Sequence, residues 1–166
     1  MQYFEIFNIP ISLTVDAGSI KKKFYQLSRQ YHPDFFAQAS AEEQADALEK
    51  SALLNKALKV LSNTDATIKY VLEEKGLLVE DEKYKLPPDF LMEVMELNEQ
   101  IQEAKLEADE AALSNIAKQI EQLNTSIYAP VKAIVEHFQE DTISEKELLQ
   151  VKQYYFQKKY LDRILF

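Results

Sequence analysis

His32, Pro33 and Asp34 are the residues of this 166-residue chain whose types and spacing come nearest to chemistry. A histidine two positions from an aspartate is the start of a general-base arrangement, with His32 as base and Asp34 as the carboxylate that orients it. Completing it takes a nucleophile or a metal, and a pocket, and an exposed turn between helices supplies none of these. The chain has no cysteine and only one other histidine, His137. Disulfides, thiolate metal ligation and a cysteine nucleophile are therefore excluded, and a zinc site is short of ligands. A second group lies farther on. Glu96, Glu99, Glu103 and Glu107 follow at steps of three, four and four, which puts four carboxylates on one helical face. Like charges at this spacing repel by roughly 0.2–0.5 kcal/mol per pair, so folding alone does not call for them. Leu91, Met92 and Met95 form an apolar patch just ahead. Periodicity allows two readings of this stretch: bundle core beside a solvated acidic row, or a docking face.

The elements that position these residues read as helices throughout. Gly 2 and Pro 5 leave little turn chemistry, which argues against an all-β fold. Residues 3–7 form a short apolar segment, a strand or a single helical turn, ending at Asn8-Ile9-Pro10. Asp16 caps a helix that runs to about Gln30, with Ile20, Phe24, Leu27 and Tyr31 on the face to be buried. Pro33 cannot continue that helix and pushes His32 out of helical geometry, so His32 and Asp34 flank a rigid, outward-facing turn. Residues 35–40 are the loop to an antiparallel helix over 41–61. Its expected inner face is Ala45, Leu48, Ala52, Asn55, Leu58 and Leu61, with Asn55 bonded to backbone. A short helix over 66–75 closes at Gly76. The charged stretch 80–88 ends in Pro87-Pro88 and reads as the domain boundary. Asp89 caps a helix from Phe90 to about Ala108. A helical pattern over 110–138 follows, which Pro130 must kink or interrupt near 126–129. Ser144 and Glu147 open a last helix as a capping box.

Charge is unevenly spread. Through Lys75 there are nine Lys and Arg against ten Asp and Glu; the remainder holds ten against eighteen, for a net −9 overall. The acidic second half argues against nucleic-acid binding. The helix before His32 is the local anomaly: Lys21, Lys22, Lys23 and Arg29 meet no acid between Asp16 and Asp34. Beside the turn, this basic face suits electrostatic docking to an acidic partner. No apolar run approaches the roughly 20 residues of a membrane helix. The first residues have neither the basic nor the apolar region of a signal peptide, which predicts a cytoplasmic or comparable reducing location.

A basic amphipathic helix, His32-Pro33-Asp34 and a second helix of similar length resemble the J-domain, the module by which co-chaperones stimulate DnaK-type ATPases. The Tyr3-Phe4 segment, in a short helix, and Asn55-x-Ala57-Leu58-x-x-Leu61 fit the same pattern. Phe35 stands where the family usually carries Lys, which removes one positive charge. From Asp89 onward, Phe90-Leu91-Met92-Glu93-x-Met95-Glu96-Leu97 resembles the scaffold-binding segment of HscB-type co-chaperones of iron–sulfur cluster assembly. The resemblance covers essentially the whole chain. It implies an all-α fold: a J-domain over 1–76, built as an antiparallel helical hairpin with short flanking helices, a linker over 77–88, and a C-terminal three-helix bundle over 89–166.

The resemblance also implies roles. His32, Pro33 and Asp34, with Lys21, Lys22, Lys23 and Arg29, would contact a DnaK-type chaperone of the HscA kind. Leu91, Met92, Met95, Glu96, Glu99, Glu103 and, by a looser alignment, Tyr155 would hold an IscU-type scaffold. No catalysis by this chain, no cofactor, no membrane and a monomer are expected. A J-protein with another client, and a helical interaction protein with an incidental His-Pro-Asp, stand as rivals.

Overall fold

Local caps set where the helices begin. The computed structural model describes residues 1–165. Helices α1 (Gln2–Phe7), α2 (Ala17–Gln30), α3 (Ala41–Leu61) and α4 (Thr64–Glu74) are followed by α5 (Pro88–Glu107), α6 (Glu110–Tyr128), α7 (Lys132–Glu136) and α8 (Glu145–Leu165). A single 3₁₀ turn, Pro33–Phe36, occupies part of the stretch expected to be loop. Asp16, Asn63 and Asp109 each accept a bond from the backbone N–H three residues on. Ser40 and Ser144 form capping boxes. The Ser40 N–H donates to Glu43 Oε2 at 2.9 Å while the Glu43 N–H donates to Ser40 Oγ at 3.2 Å. Ser144 and Glu147 repeat those distances. No strand is present among the described residues.

These boxes predict an acid response. Bonds from the Ser40 backbone and hydroxyl hold the Glu43 carboxyl below its usual range, and the Ser144 hydroxyl and backbone do the same for Glu147. A depressed folded value gives stability that is present above the unfolded pKa, about 4.3, and is lost as pH falls through the folded one. Ser40→Ala and Ser144→Ala are thus expected to lower Tm by a few degrees at pH 7. The deficit should shrink when the melts are repeated below about pH 4, where the wild type loses the same interaction.

The chain divides into two compact units, residues 1–76 with 138–143, and residues 77–137 with 144–166. In the first, α3 is the central helix and packs against α1, α2, α4 and the 3₁₀ turn. Its buried residues are Ala47, Leu54, Ala57 and Leu61, facing Phe4 and Phe7 of α1, Leu13, Ile20 of α2, and Ile68, Val71 and Leu72 of α4. This corrects the expected inner face. Leu48 is 62% exposed, and Ala45, Ala52 and Asn55 are exposed as well. The Asn55 side-chain amide bonds within its own helix, to the Ser51 carbonyl at 2.9 Å. Alanine and leucine surround α3 on most sides, so periodicity alone does not choose which stripe faces inward. On α2 only Ile20 is fully buried; Phe24, Leu27 and Tyr31 are half-buried. Gly76 follows α4 at φ +70, the left-handed conformation that a glycine adopts without strain.

In the second unit, α5 buries Phe90, Val94, Leu97, Ile101 and Ala104, spaced four, three, four, three. Ile116, Ile120, Leu123 and Ile127 of α6 follow the same rhythm, and α8 contributes Leu148, Val151, Tyr154, Tyr155 and Leu161. Three long helices with such stripes make a bundle. Ala108, in the left-handed region, and Asp109 make a two-residue connection from α5 to α6. The expected middle helix is two helices. Tyr128 ends α6, Pro130 interrupts the chain, and α7 restarts at Lys132, slightly later than 126–129. Pro130 is compatible with a helical Ala129, and the backbone departs only at Val131 (φ −108, ψ −5). Helix α5 likewise begins earlier than expected. Pro88 occupies its first turn, where a missing N–H costs nothing, and Asp89 lies inside the helix rather than at its cap.

The stretch read as a linker belongs to this unit. Leu78 is buried, Tyr84 stacks on Phe156 of α8 at 4.5 Å, and Lys152 Nζ of α8 bonds to Glu82 Oε1 at 2.7 Å.

Candidate functional site

Two surfaces, one on each unit, hold the residues singled out above. On the first, α2 ends at Gln30 and the chain turns at His32-Pro33-Asp34. All three side chains are exposed. The Asp34 N–H donates to His32 Nδ1 at 3.3 Å, which fixes the imidazole against the turn. An accepting nitrogen carries no proton, so the neutral ring has its N–H on Nε2, the nitrogen left for a partner. Asp34 Oδ2 lies 3.6 Å from the same Nδ1. Phe35, 76% exposed, meets the His32 ring edge-on with centroids 6.2 Å apart. The turn is an ordered surface feature rather than a cleft. Among the described residues no cluster of histidine and carboxylates could hold a metal.

Lys21, Lys22 and Arg29 are exposed on α2 and enter no ion pair among the described residues. Tyr25, 57% exposed, stands one turn after Lys21 and one turn before Arg29. It was missed as a surface residue, although this i, i+4, i+8 spacing was legible. Lys23 differs from its neighbours. It is half-buried, and its Nζ donates to the Phe7 and Asn8 carbonyls at 3.4 and 3.3 Å, at the C-terminal end of α1. This lysine fastens α1 to α2. Lys23→Met is accordingly expected to lower stability by about 1 kcal/mol, the scale of a part-exposed hydrogen bond. Lys21→Glu/Lys22→Glu should leave the denaturation midpoint unchanged, since neither side chain has a partner to lose. Paired urea melts measure both.

The second surface is on α5. Leu91 is half-buried, Met92 and Met95 are 60% and 55% exposed, and Glu96, Glu99 and Glu103 are exposed with no cation paired to them among the described residues. Met92, Met95 and the three glutamates lie opposite the buried stripe of Phe90, Val94, Leu97, Ile101 and Ala104, and Leu91 lies at its flank. Leu106 extends the row. It is 88% exposed and falls within the same arc of about 80° as Met92, Met95, Glu99 and Glu103. From Met92 to Leu106 the stripe is about 21 Å long, at 1.5 Å per residue. Leu106 was readable from sequence as the residue three beyond Glu103.

Tyr155 does not join this surface. It is 9% exposed, with its ring edge-to-face against Phe156 at 5.2 Å. The reason is its register: Leu148, Val151 and Tyr155 follow at steps of three and four and share the inward stripe of α8.

Comparisons with known proteins place the chain in a family. Residues 2–70 match the family model of the DnaJ domain, and residues 86–165 match that of the HSCB C-terminal oligomerisation domain. The co-chaperone protein HscB homolog of Photobacterium profundum is 34% identical over 128 residues, which cover 76% of this chain and 75% of that one. Solved structures are similar as well. Chaperone HscB from Vibrio cholerae matches with TM-score 0.67 and 27% identity over 99% of this chain and 97% of that one. Human co-chaperone protein HscB matches with TM-score 0.70 and 28% identity over 97% and 80%. The J-domain turn, the bundle that follows it and these likenesses together make the chain a member of the HscB family of J-domain co-chaperones.

Proposed function

We propose that this co-chaperone binds an IscU-type iron–sulfur scaffold through the exposed face of α5 and delivers it to a DnaK-type chaperone of the HscA kind. It would stimulate that chaperone's ATPase through His32, Pro33 and Asp34, with Lys21, Lys22 and Arg29 as complementary charge, and so aid cluster transfer. The observation that carries the reading is the pair of unlike surfaces on separate units. One is a rigid turn beside a basic helix, the other an apolar stripe edged with unpaired carboxylates.

The physical roles follow from those surfaces. The J-domain performs no chemistry; it favours the partner's hydrolysis-competent state to the extent that it binds that state more tightly. Holding the client on the same chain makes its encounter with the chaperone effectively intramolecular. Met92 and Met95 suit a client groove of irregular shape, because a flexible thioether adapts its packing. The cluster itself is cargo, ligated by the scaffold's thiolates, consistent with a chain that has no cysteine. The protein acts as a monomer in a reducing compartment such as the cytoplasm.

Steady-state ATPase of a DnaK-type chaperone, with this protein alone, with scaffold alone and with both, tests the reading. Synergistic stimulation is expected. Stimulation that ignores the scaffold would leave the J-domain role standing and remove the client assignment, in favour of a J-protein with another client.

A further inference from the structure

A second surface of the bundle unit has the opposite electrostatics. Between the 83–86 stretch and the C-terminal half of α8 lies a hollow of 340 Å³ lined by Lys83, Tyr84, Phe156, Lys159, Tyr160 and Arg163, among others. The residues after Lys75 carry eighteen acids against ten bases, yet three of those bases edge this one hollow. None of the three enters an ion pair among the described residues. The one acid in the lining, Glu82, is already committed to Lys152 through Oε1. We propose that this hollow is a docking site for an acidic peptide segment of a partner protein, one apolar or aromatic side chain entering it with carboxylates on either side.

Charge and shape each point to that ligand. Three cations without ion pairs on the lining of one hollow attract anions, which bind among them. The aromatic lining supplies apolar contact for a side chain. Base stacking is disfavoured because part of the ring surface is already in use. Tyr84 and Phe156 stack on each other with planes 2° apart, Lys152 lies over Tyr84, and Arg163 lies over Tyr160 at 5.4 Å. The edges of these rings are electropositive, which suits carboxylates. The ligand cannot be the same element that α5 takes, because Glu96, Glu99 and Glu103 repel an acidic segment. The proposal therefore stands apart from the scaffold assignment.

The test is an NMR titration of the full ¹⁵N-labelled protein with an acetylated, amidated peptide, Asp-Glu-Phe-Glu-Asp. Saturable shifts are expected at the amides of residues 83–86 and 156–163. Binding should weaken at least tenfold with the Asn/Gln version of the peptide, and likewise in Lys159→Glu/Arg163→Glu, two positions at the rim of the hollow whose replacement leaves the circular dichroism unchanged. Absence of saturable shifts there overturns the proposal, as does equal binding of the neutral peptide or wild-type affinity in the double variant. An oligouridine that bound at these residues more tightly than the peptide would replace it with a nucleic-acid site.

Discussion

His32→Gln is expected to return the ATPase of a DnaK-type partner to its unstimulated rate while leaving the protein's own stability within about 0.5 kcal/mol of wild type. The separation follows from where the side chain sits. His32 is half exposed and its ring meets the edge of Phe35, so removing it opens no enclosed cavity. Its fold-related bond is the one that Nδ1 accepts from the Asp34 N–H, an exposed bond whose donor water satisfies once the ring is replaced. What glutamine does not reproduce is a planar ring locked by that bond with a single N–H directed outward on Nε2. A partner whose hydrolysis-competent state is recognised through that group loses the differential affinity on which stimulation rests. ATPase rates measured over a range of co-chaperone concentrations, beside urea melts of the variant, give the answer. Full stimulation by a folded His32→Gln protein would make the turn incidental, and the chain would read as a helical interaction protein.

Met92→Ala/Met95→Ala is expected to weaken scaffold binding by about thirtyfold to nearly a thousandfold, taking roughly 1–2 kcal/mol for each anchor truncated at the centre of a contact. The unit should remain folded, since neither methionine belongs to the buried stripe. Leu97→Ala, one turn from the same patch but 4% exposed, should instead cost about 2–5 kcal/mol of stability. Reversing Glu96, Glu99 and Glu103 to lysine acts differently again. It should slow association and flatten its salt dependence, because unpaired rim charges steer encounter more than they hold the complex. Calorimetry and stopped-flow mixing with the scaffold separate these effects. In the ATPase assay, the methionine pair should lose only the scaffold's share of the stimulation. Unchanged scaffold affinity in the pair would move the client contact off α5.

The two surfaces were legible in the sequence because the features that build them are local. A cap spans three residues, as at Asp16, Ser40 and Ser144, and Pro33 ends α2 whatever lies beyond it. On α5 the acidic row was legible in the same way, whereas Met92 and Met95 stood open between core and surface until the buried stripe, at steps of four and three, left them to solvent. Where helices start and stop, the His-Pro-Asp turn, and the outward face of any helix with one clear apolar stripe are thus written in short stretches of chain.

The remaining choices were made by packing. On α3 the alanines and leucines allow more than one inward stripe, and contact with α1, α2 and α4 selected Ala47, Leu54, Ala57 and Leu61 over the stripe through Leu48 and Asn55. Lys23 reads as one of three equivalent lysines until α1 brings the Phe7 and Asn8 carbonyls, sixteen and fifteen residues away in the chain, to its Nζ. A tyrosine-rich α8 leaves open which ring points inward, and the bundle took Tyr155 into its core. Nothing local announces that Tyr84 stacks on Phe156 or that Glu82 meets Lys152, 70 positions on. Capping and turn formation are satisfied within a few residues. The choice of a helix face and the partner of a charge depend on which distant segment arrives, and only the folded chain supplies that.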